Sequence, residues 1–412
     1  MNKSDSERMR AIFEQINYSE VDSVDEADVV VINACSIRQP AINRIWSFAK
    51  NYKKIKKKRE LVTILTGCLL DKDRKQFEKL FDFVFNINRL DQLKQYLAPE
   101  SDVLNQNYFD VRPKHKTKSH AFLPIMTGCN NFCSYCVVPY VRGREISRAV
   151  KSVLIEAKEL VDSGCKEIHL LGQNVNSYMP EDNDSFSKDN PFKHNFAKLL
   201  WELNQIDGDF RIHFTSAHPK DMVDEVIEAL ALPKQVNYLH LALQSGDNEI
   251  LEAMNRKYIV EDYNKIVEKL RKVKPGIALG TDIIIGFPGE TDEQFQNTLD
   301  FYKKVRFDIS FHAMYSERKG TASAELEDDV PYEVKKKRWN QLQKVVKEIT
   351  LEDNQRFQDK EVEVLVDIEG EGWVEGNSSE MKRVRIFNRE YKVGDLVKVK
   401  VDDPQMWILV SK

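Results

Sequence analysis

Six short segments rich in apolar and β-branched residues recur between residues 121 and 315: Ala121 to Met126, Glu167 to Leu171, Arg211 to Thr215, Tyr238 to Leu243, Ala278 to Ile285 and Ile309 to Tyr315. Between them lie stretches such as Val153 to Ser163 and Tyr263 to Val273, whose apolar residues keep helical spacing. Strand and helix alternating in this way predict strands that run parallel, because each helix serves as the crossover between neighbours. The expected fold class is therefore α/β, and any site should lie at the carboxyl ends of the strands, where parallel sheets carry their functional loops.

The rest of the chain sorts around this repeat. Upstream, Met9, Ile12, Phe13 and Ile16 keep helical spacing behind Ser4-x-x-Glu7, which reads as a capping box. Asp28 to Asn33, Leu61 to Thr66 and Phe81 to Phe85 are short runs of the kind buried in parallel sheets. Residues 1–112 are expected to form an α/β domain of their own, and the polar, basic stretch 113–120 a linker. The repeat occupies 121–350, closed by a helix from Asp329-Val330-Pro331 to about Gln358 with Trp339, Leu342, Val346 and Ile349 on one stripe. Residues 351–412 finish that helix and change to alternating strands at Glu361 to Asp367, Val384 to Phe387 and Leu396 to Val401.

The chemistry is concentrated in Gly128-Cys129-Asn130-Asn131-Phe132-Cys133-Ser134-Tyr135-Cys136, directly after the first strand of the repeat. Three thiolates in a C-x3-C-x2-C loop converge on one soft metal centre, as in iron–sulfur clusters. Three protein ligands leave one iron of a [4Fe-4S] cube open to a substrate. A zinc site would normally present four closed ligands, and no second pair follows Cys136 at suitable spacing. A disulfide framework is unnecessary in a chain of this length. The N-terminus is polar and no apolar run approaches the roughly 18 residues of a membrane helix, so a cytoplasmic protein with reduced thiols and no membrane partner is expected.

The C-x3-C-x2-C run resembles the signature of the radical S-adenosylmethionine enzymes, and the words around it narrow the likeness. Val137-Val138-Pro139-Tyr140, Arg142-Gly143-Arg144-Glu145, Gly172-Gln173-Asn174-Val175-Asn176, Thr215-Ser216-Ala217-His218-Pro219, Gln244-Ser245-Gly246, Gly286-Phe287-Pro288-Gly289-Glu290-Thr291 and Tyr315-Ser316-Glu317-Arg318 follow the order of the methylthiotransferases, in the branch acting on N6-isopentenyladenosine-37 of tRNA. That resemblance implies a radical S-adenosylmethionine partial (βα)6 barrel, a doubly wound N-terminal domain and a C-terminal TRAM β-barrel of the RNA-binding, OB-like kind. It makes Cys129, Cys133 and Cys136 the ligands of the cluster that binds S-adenosylmethionine. Gly172, Gln173, Ser216, Gln244 and Gly286 are expected near the cofactor, with strand-end capping the alternative for Ser216 and Gln244. The implied reaction abstracts hydrogen from C2 of the adenine with a 5'-deoxyadenosyl radical, inserts sulfur associated with an auxiliary cluster, and takes a methyl group from a further S-adenosylmethionine. The related branches modify N6-threonylcarbamoyladenosine-37 or a ribosomal-protein aspartate; an RNA-binding protein with a structural metal site is the reading from another class.

The resemblance also assigns Cys35, in Asn33-Ala34-Cys35-Ser36-Ile37-Arg38, and Cys68, in Thr66-Gly67-Cys68, to the auxiliary [4Fe-4S] cluster. The alternative for both is a pair of inert thiols. That cluster takes three cysteines, the first in a Gly-Cys-Gln-Met-Asn word ending a first strand; here the sequence opens at Met1-Asn2, so the strand and its cysteine are missing from it. An internal methionine of a longer reading frame would account for this, as would a natural truncation whose second cluster is lost or completed by another ligand. Cys165 reads as a core thiol, and His218 as an acid–base group or a structural imidazole. Phe132 and Tyr135 either stack a base or shield the cluster.

Charge is less directive. The balance of 62 basic against 66 acidic residues argues mildly against RNA. Local basic groups argue for it: Lys53 to Arg59, Lys335 to Arg338, and the loop residues Arg142, Arg144 and Arg148, with Arg318 as a further candidate for phosphate or cofactor carboxylate. The expected partners are the tRNA anticodon stem-loop, an electron donor of flavodoxin type and a sulfur or iron–sulfur supply protein, with the enzyme a monomer.

Overall fold

The computed structural model describes residues 1–35, 39–100, 108–115, 117, 119–388 and 390–412, without the side chains of residues 39 and 40. Ser36, Ile37 and Arg38 of the auxiliary-cluster word, and Lys116 and Lys118 of the expected linker, lie outside the described residues. The chain divides into two compact units. One comprises Met1–Lys116, Thr127–Ile146 and Ser316–Glu325; the other comprises Thr117–Met126, Ser147–Tyr315 and Leu326–Lys412.

In the first unit, the strands β1 (Val29–Cys35), β2 (Val62–Cys68) and β3 (Phe83–Val84) form a parallel sheet in that order. The register runs from Val29 opposite Val62 to Cys35 opposite Cys68. The central strand alternates its burial between two layers, as a doubly wound sheet requires. Ile64 packs with Met9, Ile12, Phe85, Leu90 and Leu93, while its neighbour Leu65 packs with Ile42, Ile45, Phe77 and Phe81. The expected capping box does not form. The first helix starts at Asn2 and has no side-chain cap, so Ser4 lies within its first turn, where its Oγ accepts from Arg8 at 3.1 Å.

In the second unit the repeat becomes β4 (His120–Pro124), β7 (Glu167–Leu171), β8 (Arg211–Phe214), β9 (Tyr238–His240), β10 (Ala278–Ile285) and β11 (Ile309–Met314); the short strands β5 (Met126–Thr127) and β6 (Ile146–Ser147) lie where the chain passes between units. Two parallel sheets, β4-β7-β8 and β11-β10-β9, are joined by parallel bridges Ile212 to Gln235 and Ala217 to Leu241. The result is six parallel strands in sequence order, a partial (βα)6 barrel. β9 is shorter than the apolar run Tyr238 to Leu243 suggests: beyond His240 the pairing becomes irregular, with the Leu243 N–H donating to the Thr281 hydroxyl at 3.0 Å and a bridge to Ile283 forming only at Gln244. Leu342, Val346 and Ile349, from the helix Tyr332–Asn354, are buried in the barrel's core, and the Trp339 indole N–H donates to the His312 carbonyl at 3.3 Å.

The C-terminal strands β12 (Glu361–Gly370), β13 (Trp373–Ser378), β14 (Arg383–Ile386), β15 (Leu396–Lys400), β16 (Asp403–Pro404) and β17 (Leu409–Ser411) pair in the order β15-β12-β13-β14-β17-β16. Val399 from one edge and Leu409 from near the other share one core with Val364, Val366 and Val384. A flat sheet could not bring them together, so the sheet curls into a small β-barrel.

Truncating Leu342, which is fully buried, should leave a cavity between helix and barrel. Leu342→Ala is expected to cost about 2–5 kcal/mol in denaturant unfolding, whereas Lys344→Ala, whose side chain is 80% exposed, should change stability by no more than about 0.5 kcal/mol. Equal stabilities would show that the stripe does not hold this helix.

Candidate active site

The three-cysteine loop is shaped by its backbone before any ligand is considered. Gly128 has φ +84°, and a Cβ there would lie 2.0 Å from the Arg144 carbonyl oxygen. Only glycine permits so close an approach. The Cys129 N–H donates to Gly143 O at 3.1 Å and the Cys136 N–H to Cys133 O at 2.9 Å. Asn130 and Glu145 bond reciprocally, with Asn130 N–H to Glu145 Oε1 at 3.2 Å and Glu145 N–H to Asn130 Oδ1 at 3.3 Å. Segment 143–145 therefore closes a frame around residues 128–136. A helix, Val138–Arg142, begins directly behind Cys136, and the Val138 N–H donates to Cys136 Sγ at 3.5 Å. Three thiols on one framed loop, one of them facing a helix amide, are a donor set that suits a soft metal cluster.

The second thiol pair lies in the same unit. Cys35 and Cys68 stand opposite each other at the carboxyl ends of β1 and β2, Cys35 exposed and Cys68 buried. The amino end of Met1 lies close enough to feel the charges of Asp5, Arg142, Cys68 and Cys35, and Asn33 Nδ2 donates to Asn2 O at 2.8 Å. Burial pushes the Cys68 thiol up, and the neighbouring Arg142 guanidinium offsets part of that rise. Two thiols in register at strand ends, one of them beside a guanidinium, are a donor pair of the kind a sulfur-ligated cluster uses. Cys165 behaves as the core thiol: it is buried, donates to Glu167 O at 3.2 Å, and has its pKa pushed up to about 11 by burial.

In the second unit the expected cofactor residues fall at strand ends. Gly172 follows β7, and a Cβ there would meet Met126 Cγ at 2.5 Å. Ser216 follows β8, and its carbonyl accepts from Val175 N–H at 2.9 Å. Asn176 Nδ2 donates to His218 O and Asn176 Oδ1 accepts from His218 N–H, both at 2.9 Å, so these two loops are held together. His218 Nδ1 accepts from Lys220 N–H at 3.1 Å, and burial drives its pKa far down. It is a neutral structural imidazole. Gln244 is buried with its backbone bonded to Asp282 O at 2.8 Å. Gly286 has φ +67°, and its N–H donates to Glu290 Oε2 at 2.8 Å. Glu290 in turn accepts from Arg338 Nη1 at 2.8 Å.

The arginine assignments need correction. Arg142, Arg148 and Arg318 are buried and paired with Asp5, Glu156 and Asp73 respectively, so they are not free to receive phosphate. Arg144 alone of the four is exposed, its guanidinium 4.3 Å from the Phe132 ring centroid. In the basic run 335–338, Lys335 pairs with Asp328 and Arg338 with Glu290 and Asp292, while Lys336 and Lys337 are exposed. Sequence reasoning also missed a polar chain inside the barrel: Arg211 and His169 both bond Glu167, and His169 Nδ1 meets His213 Nδ1 at 3.2 Å. Its signal was the alternate placement of Glu167 with His169, and of Arg211 with His213, in otherwise apolar strands.

A partial parallel barrel and a framed three-cysteine loop define the class of radical S-adenosylmethionine enzymes. Residues 123–302 match the family described as the radical SAM superfamily, and residues 1–87 match the one described as uncharacterized protein family UPF0004. The chain is 41% identical to the tRNA-2-methylthio-N(6)-dimethylallyladenosine synthase of Clostridium novyi, over 100% of this chain and 94% of that protein. It is 39% identical to the synthase of the same name from Caldicellulosiruptor saccharolyticus, over 100% and 87%. Among solved structures, the radical S-adenosylmethionine methyltransferase TsrM from Kitasatospora setae, with cobalamin and a [4Fe-4S] cluster bound, superposes with a TM-score of 0.59 at 14% identity, covering 78% of this chain and 73% of that one. That likeness concerns the fold alone. The chain belongs to the tRNA-2-methylthio-N(6)-dimethylallyladenosine synthase family of radical S-adenosylmethionine enzymes.

Gly128 and Gly143 both hold positive φ, but a Cβ at Gly143 meets nothing within 4 Å. Both alanines are strained by that φ, but only the one at position 128 also meets backbone, so Gly128→Ala should lower iron and sulfide bound per chain after anaerobic reconstitution further than Gly143→Ala does. Equal iron contents would show that the close approach to Arg144 is dispensable.

Proposed function

We propose that this protein methylthiolates C2 of N6-isopentenyladenosine at position 37 of tRNA. The observation that carries the reading is the presence of two separate thiol sets in one unit: the framed Cys129, Cys133 and Cys136, and the register pair Cys35 and Cys68. An aromatic C–H is beyond ordinary acid–base groups, and two sets match a reaction that needs a radical source and a sulfur source. The relatives named above carry the same activity in their names and match this chain end to end.

Cys129, Cys133 and Cys136 hold a [4Fe-4S] cluster that, with S-adenosylmethionine bound, supplies a 5'-deoxyadenosyl radical. Cys35 and Cys68 provide two of the ligands of the auxiliary cluster. Gly172, Gln173, Ser216, Gln244 and Gly286 receive the cofactor: Gly172 allows close backbone approach, and the bonded pair of loops at Asn176 and His218 fixes where Ser216 stands. Glu290 and Arg338 keep the Gly286 turn rigid rather than touching substrate. Arg144, exposed beside Phe132 and Tyr140, is the loop's contact for the RNA backbone. The curled C-terminal sheet is a TRAM domain that adds to the RNA surface. The division at residues 1–112, 121–350 and 351–412 follows these roles. No described helix is long and apolar enough to cross a membrane. The protein works on tRNA in the cytoplasm as a monomer, supplied with electrons by a flavodoxin-type protein and with sulfur by an iron–sulfur supply protein.

The test is incubation of the anaerobically reconstituted protein with S-adenosylmethionine, a reductant and tRNA carrying isopentenyladenosine, followed by mass spectrometry of nucleosides. The 2-methylthio product and 5'-deoxyadenosine are both expected, and Cys133→Ala should abolish both. Cys35→Ala/Cys68→Ala should abolish only the methylthio product; if that variant still forms it, the assignment of those two thiols is wrong.

A further inference from the structure

Arg142 is the least expected side chain of the first unit. It ends the helix Val138–Arg142, six positions beyond Cys136, yet its side chain is turned into the interior and is 1% exposed. Its Nε donates to Cys68 Sγ at 3.2 Å. Its Nη2 donates to Asp5 Oδ2 at 2.5 Å, and Asp5 is itself fully buried. Asp5 Oδ1 accepts from the Tyr108 hydroxyl at 2.6 Å. Tyr108 is stacked in turn under the Arg8 guanidinium, 5.1 Å from the ring centroid, and its carbonyl accepts from Arg8 Nε at 3.3 Å. A guanidinium is always charged in a protein, and here its charge is met by the Asp5 carboxylate.

An arginine buried at such desolvation cost needs partners that use its charge, and here one face of the planar fork goes to a carboxylate while Nε goes to a sulfur. Hydrogen bonds and charge beside a cluster sulfur are the means by which a protein sets cluster potential: each added electron makes the cluster more negative, so a fixed cation on a ligand sulfur stabilises the reduced form. Asp5 tempers that cation. The arginine also belongs to the loop whose own cysteines form the other thiol set, so whatever holds Cys129, Cys133 and Cys136 in place also positions the donor to Cys68.

We propose that Arg142 is a positioning and tuning residue for the iron–sulfur group on Cys35 and Cys68, raising its reduction potential through the Nε–H to Cys68 Sγ bond, with Asp5 setting how strongly that charge is felt. The proposal rests on the reading that Cys35 and Cys68 hold a cluster.

The two are separated by working in the full chain with Cys129, Cys133 and Cys136 all replaced by Ala. Iron and sulfide analysis with electron paramagnetic resonance establishes whether this protein carries a cluster after anaerobic reconstitution, and a redox titration gives its midpoint. Arg142→Gln should shift the midpoint to more negative potential and Asp5→Asn to more positive potential, with Asp5→Asn/Arg142→Gln between them. Opposite shifts are not what a general loosening of the fold produces. Should Arg142→Gln fail to fold, the positive shift of Asp5→Asn carries the test alone. A bound cluster with the same midpoint in all variants overturns the role of Arg142 and leaves the ligand reading standing. Absence of iron in the triple-cysteine variant overturns the ligand reading, and the role of Arg142 with it.

Discussion

Parallel strand pairing is the constraint on which everything else in this protein depends. In a parallel sheet every strand delivers its following loop to the same edge, so residues remote in sequence become neighbours without any contact between their own segments. Cys35 and Cys68 are the clearest case. Thirty-three positions apart, they stand opposite because Val29 pairs with Val62 and the register holds through the strand end. A slip by one residue would turn one thiol to the other face of the sheet. Alternation of Ile64 and Leu65 between two separate cores prevents that slip, since it would exchange their places. The same logic in the second unit puts Gly172, Ser216, Gln244 and Gly286 at successive strand ends.

Buried charge is the second organising element, and it is used for position more than for stability. Replacing a buried ion pair by apolar groups is often neutral or favourable, whereas removing one member leaves an uncompensated charge. Arg142 with Asp5, Arg148 with Glu156 and Arg338 with Glu290 each tie a functional loop to a helix. In each pair the arginine reaches out from a segment beside a motif or receives one. Such pairs fix a loop because planar guanidinium geometry accepts few arrangements.

The sequence made the layers and the strand ends legible because they rest on local periodicity. Glu167–Leu171 and Ala278–Ile285 have the limits that their apolar runs suggest, and the stripe Leu342, Val346 and Ile349 enters the core as helical spacing requires. The cysteines were legible because thiols at close spacing have few other uses. What was not legible depended on long-range partners. Asp5 looks like part of a polar first helical turn, and only the fold shows that it is fully buried against Arg142, 137 positions away. The Ser4-x-x-Glu7 word satisfies the capping pattern, but the helix begins earlier and the pattern has nothing to cap. Arginines near the cysteines read as an RNA surface because composition cannot distinguish a cation facing solvent from one facing a carboxylate.

That distinction bears on how an overall acidic chain meets a polyanion. Basic residues engaged in ion pairs contribute little field at the surface, and here the internal ones include members of the runs that suggested RNA contact: Arg142, Arg148, Lys335 and Arg338, while Lys56 pairs with Asp82. Exposed cations remain at Arg144, at Lys53, Lys54, Lys57 and Lys58, and at Lys336 and Lys337. Phosphate contacts give affinity in proportion to their number and carry no sequence information. Because such contacts read no sequence, recognition must also draw on shape and on the base itself, which suits an enzyme whose reacting atom is on a nucleobase. The polar face of Arg144 over Phe132, next to the framed cysteine loop, is where charge and an aromatic surface coincide within one unit.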